Sequence, residues 1–442
     1  MKILLIVYDN NSYIHYFPLN IAYLASILRQ NKHYVVIYNQ DIHHYSEEHL
    51  THYLDNNNFD IVGIGSVAGY YPYKKILKIS EAINKSKNRN KFKYIIGGHM
   101  VSASPEYFLE KTKADIIIKG EGELAILKVI NDFKDKIIEM PLIENLDTIP
   151  FPAYDLFPIE VYRLQRLPNI ETTDFSMSII SGRGCPYFCV FCYRLMKGMR
   201  LRSIDNIVEE IKLLKKKYHI NYIDFADDLT MTSKQRIVEL SEALLPLNIK
   251  WRCEGRLNYV DKEVLIIMKK AGCVFINYGI ESLDDNVLKL MKKGLTKDII
   301  IKGIELTLEV KISPGLNIIW GNLGDTLETL EESVEFLKKY DDCSQIRTIR
   351  PVTPYPGSEL FNEAIKRNLL KDVGDFYHKH INSDLLTVNF TNIDNDTFHK
   401  ALFIANSELL WNYYMKKYKE NEKILDNLYI HKDINFRGFR HT

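Results

Sequence analysis

Cys185, Cys189 and Cys192 stand in a CxxxCxxC spacing within the run Gly182-Arg183-Gly184-Cys185-Pro186-Tyr187-Phe188-Cys189-Val190-Phe191-Cys192-Tyr193. Three soft thiolates delivered by one short loop suit an iron-sulfur cluster, and a cubane held by only three of them keeps one iron open to an outside ligand. Structural zinc is the competing reading. Zinc normally takes four ligands, however, and the other cysteines, Cys253, Cys273 and Cys343, stand singly without paired spacing. Disulfides would need an oxidising compartment, and the first residues read as a strand and not as a signal peptide. The loop therefore predicts metal ligation by these three cysteines and chemistry at an open iron.

The elements around the loop decide what that iron faces. Up to residue 140, apolar runs at 3–7, 34–38, 61–64, 94–96 and 116–118 alternate with helical stretches near 19–30, 47–55, 73–84, 105–111 and 123–133. Five strands alternating with helices predict an α/β domain with a doubly wound parallel sheet, whose ligands bind beyond the carboxyl ends of the strands. Small residues cluster at those ends: Gly63, Gly65, Ser66, Ala68 and Gly69 after the third run, Gly97, Gly98 and His99 after the fourth, and Gly120, Glu121 and Gly122 after the fifth. They would let a large flat ligand approach the backbone. Residues 141–170 are dense in proline and aromatics, which predicts an ordered connector.

Residues 171–365 alternate again, with strands predicted at 177–181, 222–226, 250–253, 274–279, 316–320 and 345–350 and helices starting near Asp205, Lys234, Asp261, Asp284 and Thr326. Six strand-helix repeats suit an open partial barrel, in which chemistry gathers at the carboxyl ends of the strands. Residues 366–442 read as a helical C-terminal segment, including 402–417, that either covers the barrel mouth or packs as an appendage. With 442 residues, 46% hydrophobic and 26% charged, the composition is that of an ordinary soluble protein. A net charge of +1 argues against a strong nucleic-acid footprint, and no apolar run reaches membrane-spanning length.

The cysteine spacing, with Phe191 just before the third cysteine, resembles the signature of radical S-adenosylmethionine (SAM) enzymes. The preceding five-stranded domain, with Gly97-Gly98-His99 and then Gly120-Glu121-Gly122-Glu123, resembles the cobalamin-binding domain of the cobalamin-dependent class; the resemblance covers residues 1 to about 365. It implies a flavodoxin-like or Rossmann-like N-terminal sheet followed by a partial (β/α)6 barrel. The implied cofactors are a 4Fe-4S cluster, SAM and cobalamin. One departure is clear: the loop after the first strand, Asp9 to Pro18, lacks the Asp-x-His-x-x-Gly spacing of many cobalamin domains, so cobalamin is expected without a histidine below. His15, His43 and His99 are read first as surface or hydrogen-bonding histidines.

The same resemblance carries roles to the strand ends. Asp227 and Asp228 fall where the family binds the SAM amino group, with the choice between them open; Arg256 is either a partner of the SAM carboxylate or a structural ion-pair residue. Glu281 and Ser282 match a Gly-x-Glu-Ser segment that hydrogen-bonds SAM, although Ser282 could equally cap a helix. Ile318 and the nearby glycines would hold adenine, with Leu323 and Asp325 departing from the family turn, and Thr353-Pro354-Tyr355-Pro356-Gly357-Ser358 resembles the turn that closes the sixth repeat. Gly65, Ser66, Gly97, Gly98, His99, Gly120 and Glu121 are the cobalamin candidates. The implied activity is reductive SAM cleavage to a 5′-deoxyadenosyl radical and C-methylation of an unactivated carbon in a small metabolite or natural-product intermediate. A non-methylating cyclisation or rearrangement enzyme is the alternative, and a non-catalytic cobalamin or cluster-binding sensor is the third reading. A cytoplasmic location, a small-molecule substrate and an electron donor such as flavodoxin or ferredoxin complete the expectation.

Overall fold

A computed structural model describes residues 1–11, 15–67, 69–132, 134–196 and 198–435 of the chain. Part of the 9–18 loop (residues 12–14) and Ala68 thus lie outside the described residues. The N-terminal sheet contains β1 (Lys2–Val7), β2 (Tyr34–Asn39), β3 (Ile61–Ser66), β4 (Lys93–Gly98), β5 (Ile116–Lys119) and β6 (Ile137–Glu139). All pairings are parallel, in the order β2-β1-β3-β4-β5-β6. The first five are the predicted strands. The sixth corrects the count: with three residues and only Ile138 buried, it is too short to leave a periodic signal. Because the chain leaves β1 toward opposite sides for β2 and β3, the crevice at their carboxyl ends is a topological switch point.

Both faces of this sheet are covered, as a parallel sheet requires. Ile3 and Leu5 join one core, while Leu4 and Ile6, one residue out of phase, join another. The connector belongs to the first: Phe17 stacks on Tyr154 at 5.1 Å and meets Phe157 and Tyr162 edge-on, and the Tyr154 hydroxyl donates to Glu210 at 2.7 Å. The connector is therefore ordered and bridges the two sheets.

Beyond it come β7 (Ser176–Ile179), an antiparallel ribbon of β8 (Gly182–Cys185) and β9 (Gly198–Leu201), and then β10 (Tyr222–Phe225), β11 (Lys250–Gly255), β12 (Cys273–Glu281), β13 (Ser313–Trp320) and β14 (Ile349–Pro351). Outside the ribbon these strands form a parallel sheet in the order β14-β13-β12-β11-β10-β7. In it β7 pairs only with β10 and β14 only with β13, which leaves the barrel open. Ser203, Ser233, Asp261, Asp284 and Thr326 cap the helices that follow the first five strands, close to the predicted starts. Two details differ from expectation. The ribbon is invisible to periodicity because glycine and cysteine supply no alternation, and the last strand covers only the end of 345–350 because Arg347 turns inward to the Pro314 carbonyl and Asp342.

The C-terminal segment packs along the sides of the molecule. Leu360, Phe361, Phe376 and Tyr377 close the second core, with Tyr377 stacked on Tyr73 at 4.0 Å. The helix Asn395–Leu425 lies against the β14 edge: Phe398 stacks on Trp320 at 4.2 Å, and the Asn406 amide group bonds both backbone groups of Ile349. The two sheets are thus joined on one side by the connector and on the other by this segment. No described helix is long and apolar enough to cross a membrane.

Candidate functional site

The three cysteines are presented by the ribbon. Cys185 ends β8 opposite Gly198, and the connection between the two strands carries Cys189 and Cys192. Gly184 sits at φ 90° where a Cβ would collide with the Gly198 carbonyl, so the ribbon closes only with glycine there. Gly184→Ala is expected to cost about 2 kcal/mol from left-handed strain and this clash, read as a lower midpoint in urea unfolding. The loop is pinned at its far side as well: Val190 bonds through its backbone to Met291 and Leu360, and Tyr193 lies against Gly357, where a Cβ would strike its ring. The Pro-Tyr-Pro-Gly turn of the sixth repeat therefore has a structural reason, since it makes room for the cysteine loop.

All three thiols are unbridged and line one cavity of about 370 Å³. Three cysteines facing one cavity fit a polynuclear centre, in which each thiolate binds its own iron, whereas a structural zinc ion takes four protein ligands. Desolvation, then the charges of Cys189 and Glu281, pushes the Cys192 thiol up to about 12, and burial raises Cys185 too. Raised this way, the thiols would ionise only on binding a cationic centre, as metal ligands do.

The strand-end candidates separate on inspection. Asp227 is buried, and its carboxylate accepts from Ser181 N at 2.6 Å, Ser181 Oγ at 2.5 Å and Gly182 N at 3.2 Å; it ties β10 to the root of the cysteine loop. Burial raises its pKa, and these bonds oppose the rise. Among the described residues Asp228 accepts only from Gly184 N, at 3.1 Å, and it lines the cavity. Arg256 also lines it, stacked over Tyr187 at 3.4 Å with Nε on Asn258, while its buried Nη2 has no hydrogen-bond partner among the described residues. Glu281, at φ 71°, pairs with Lys293 at 2.9 Å in the same wall.

Two predicted cofactor residues do not reach the cavity. Ile318 is 3% exposed in the apolar core behind β13, because inward positions on that strand fall one residue away, at Asn317. Ser282 is buried and its Oγ accepts from Asp284 N; the helix cap is Asp284, which corrects the capping reading of Ser282. Tyr187, Lys293, Glu254, Asn277 and Asn317 line the site without having been predicted. The alternation of β11, β12 and β13 could have revealed the last three, since polar residues occupy the same inward phase on adjacent strands.

A second cavity of about 400 Å³ adjoins the first, and His99, Leu195, Met196 and Asp228 line both. Its walls hold Gly65, Ser66, Gly97, Gly98, His99, Gly120 and Glu121, gathered from the ends of β3, β4 and β5, with apolar Leu5, Ile95 and Ile118 behind them. Gly120, at φ 85°, has no atom within 4 Å of where a Cβ would stand, and Gly98, at φ 102°, would collide with Ser66. A glycine-walled, largely apolar cradle open toward the barrel fits a flat macrocycle. His99 Nε2 donates to the Tyr193 carbonyl at 3.3 Å, and burial lowers the His99 pKa, which favours the neutral ring. His15 pairs with Asp41 at 2.9 Å and His43 stacks on Tyr45, as hydrogen-bonding and surface histidines do.

Glu121 has a role beyond lining this cradle. Its carboxylate receives Arg183 at 2.7 Å, Arg200 at 2.9 Å and Ile143 N at 2.8 Å, while Glu123 takes both Nη atoms of Arg183, at 2.6 and 3.2 Å. Arg183 and Arg200 face each other across β8 and β9. The acidic pair of the N-terminal domain thus clamps both strands of the ribbon that carries the cysteines. Burial alone would push the Glu121 carboxyl up, but Arg200 and Arg183 outweigh it and hold it below the usual carboxylate value.

Comparison with known proteins agrees with this geometry. Residues 7–130 match the family model for the B12 binding domain, and residues 179–337 match that for the radical SAM superfamily. An uncharacterised methyltransferase of Pyrococcus horikoshii is 31% identical, covering 84% of each chain. The anaerobic magnesium-protoporphyrin IX monomethyl ester cyclase of Rubrivivax gelatinosus is 24% identical over 78% of this chain and 66% of its own length. Among solved structures, the radical SAM methyltransferase TsrM of Kitasatospora setae, with cobalamin and a [4Fe-4S] cluster bound, superposes with a TM-score of 0.64 at 16% identity, covering 83% of this chain and 78% of that one. The cobalamin-dependent radical SAM enzyme OxsB gives 0.64 at 20% identity, covering 86% of this chain and 56% of that longer one. These two structures bear on the fold.

Proposed function

The chain belongs to the cobalamin-dependent radical SAM family, and from that premise we propose that it C-methylates an unactivated carbon of a small molecule. The observation that carries the reading is the junction of the two cavities: the cysteine-lined and glycine-walled spaces share His99, Leu195, Met196 and Asp228, so ligands in them would meet without passing through solvent. When bound, a cluster on Cys185, Cys189 and Cys192 supplies the electron that cleaves SAM, and cobalamin supplies the methyl carrier.

The chain's own residues orient and shield. In this reading Asp228 receives the SAM ammonium, and the Arg256 guanidinium, which lines the same cavity, pairs with the SAM carboxylate through charge-assisted bonds. Glu281, held by Lys293, faces the ribose. Gly65, Ser66, Gly97, Gly98, His99 and Gly120 cradle the corrin, while Asp227 and Glu121 position the cysteine loop. Residues 1–140 form the cobalamin domain and 171–365 the SAM barrel, joined by 141–170, with 366–442 as a packing segment; among the described residues, none after Asn317 lines either cavity. Aromatic walls at Tyr187, Phe191 and Tyr193 would shield the site from oxygen and stray hydrogen donors that quench a carbon radical. A flavodoxin or ferredoxin in the cytoplasm is the proposed electron source.

Products test the reading. Protein reconstituted anaerobically with iron, sulfide and cobalamin, then given SAM, reductant and substrate, is expected to release both 5′-deoxyadenosine and S-adenosylhomocysteine. Deoxyadenosine alone with the true substrate present would leave cyclisation or rearrangement and exclude methyl transfer. Failure to retain cobalamin would remove the N-terminal assignment.

A further inference from the structure

The inner wall of the barrel carries a hydrogen-bonded ladder that none of the cofactor roles uses. Ser178 Oγ donates to Asp224 at 2.7 Å, Arg252 Nε donates to the other oxygen of Asp224, and Arg252 Nη2 reaches Glu254 at 3.4 Å. On the next strands Asn277 Nδ2 donates to Glu254 Oε2 at 2.8 Å, and Asn317 Nδ2 donates to Asn277 Oδ1 at 2.8 Å. The chain crosses β7, β10, β11, β12 and β13, and only its last three members, Glu254, Asn277 and Asn317, line the cysteine-lined cavity. Such interiors are ordinarily filled by branched apolar side chains, so a polar wall here calls for a polar occupant.

The wall is built to point acceptors outward. Gly315 lies beside Asn277 on β13, and a Cβ there would collide with Asn277 Oδ1; glycine leaves room for that amide to lie across the sheet. Reversing the Asn277 amide would set its oxygen against the Glu254 carboxylate, so the direction of the chain is determined. The Asn277 and Asn317 amides each commit one N–H to this chain, which leaves the Glu254 carboxylate and Asn317 Oδ1 as the acceptors the wall offers a ligand. Within the wall itself the Arg252 guanidinium bonds closely to Asp224 and only distantly to Glu254, with Asp227 a third acid nearby, while the cavity's other cations, Arg194, Arg256 and Lys293, stand on other elements, Lys293 paired with Glu281.

Resting on the functional reading above, we propose that Glu254 and Asn317, oriented by Asn277, form the substrate-recognition wall and select a molecule bearing an ammonium group. A hydrogen-bond-donating cation would satisfy both acceptors and offset the Glu254 charge, whereas a carboxylate or phosphate at this wall would meet like charge. Burial, then Asp224 and Asp227, raise Glu254 to about 7 against the opposing Arg252 and Asn277, so ligand binding should also weaken as Glu254 protonates.

The test uses the full chain reconstituted with cluster and cobalamin and saturated with SAM, and saturation-transfer NMR with n-butylammonium, 1-butanol and butyrate as probes. Butylammonium is expected to bind at pH 8, more weakly at pH 6, and about tenfold or more weakly to Glu254→Gln, the scale of one charge-assisted bond. Asn317→Leu, which leaves the Arg252–Asp224 pair intact, is expected to weaken it as well and serves if the first variant misfolds. Equal binding of butanol, or preference for butyrate, would overturn the proposal. So would a loss of SAM affinity in Glu254→Gln with amine binding unchanged, because the carboxylate would then serve SAM. Absence of 5′-deoxyadenosine or of retained cobalamin in the unmutated protein would instead count against the functional reading itself.

Discussion

Cys185→Ala, reconstituted anaerobically with iron and sulfide, is expected to hold far less than the about four irons per chain of a cubane and to form no 5′-deoxyadenosine above background. The effect is large because the ligands are a minimal set. Cys185, Cys189 and Cys192 line the cavity together, whereas Cys253 and Cys273 are buried within the barrel core and Cys343 is buried beside Asp341. No other cysteine is placed to substitute. Cys343→Ala is the matched control: it removes a buried thiol away from both cavities and should leave iron content and SAM cleavage intact. If Cys185→Ala kept its iron and its product, ligation by this loop would be wrong.

The second large effect is expected at the clamp between the domains. Arg183→Met should lower stability by about 3 kcal/mol, the scale for removing one member of a buried ion pair, because Glu123, with a side chain 6% exposed, would lose its bidentate partner. A fall in the midpoint of urea unfolding at pH 7 measures it, and a parallel loss of iron retention would show that the ribbon had loosened. The pH dependence has a definite sign. Because the folded-state pKa of Glu121 lies below its unfolded value of about 4.3, its contribution is fully present above that pH and is lost as pH falls through the lower, folded value. Wild type and Glu121→Gln should therefore differ by a constant amount from pH 6 to 8 and converge in stronger acid. A difference that grew on acidification would sink the clamp as described.

Glu121 also shows where reading residues in order falls short. Its place in a Gly-Glu-Gly-Glu run after a strand pointed to a cofactor, but its partners Arg183 and Arg200 lie far along the chain on a ribbon with no periodic signature. Asp227 and Asp228 are adjacent and chemically identical, and the difference between them is set by which one the Ser181-Gly182 backbone reaches. Ile318 shows a simpler limit: a strand turns alternate residues to opposite faces, so its side chain joins the core and the neighbouring Asn317 faces the cavity.

The cysteine spacing, the two α/β halves, most strand positions and the glycine-rich strand ends are local properties, set by ligand chemistry, alternation and backbone freedom, and the amino-acid sequence alone determined them. The sixth strand, the ribbon, the inter-domain clamp, the junction of the two cavities and the hydrogen bonds that join Glu254, Asn277 and Asn317 are long-range properties. They arise from contacts between residues distant in the chain, whose cost and reward are decided only when both sheets are packed, and the tertiary structure alone decided them.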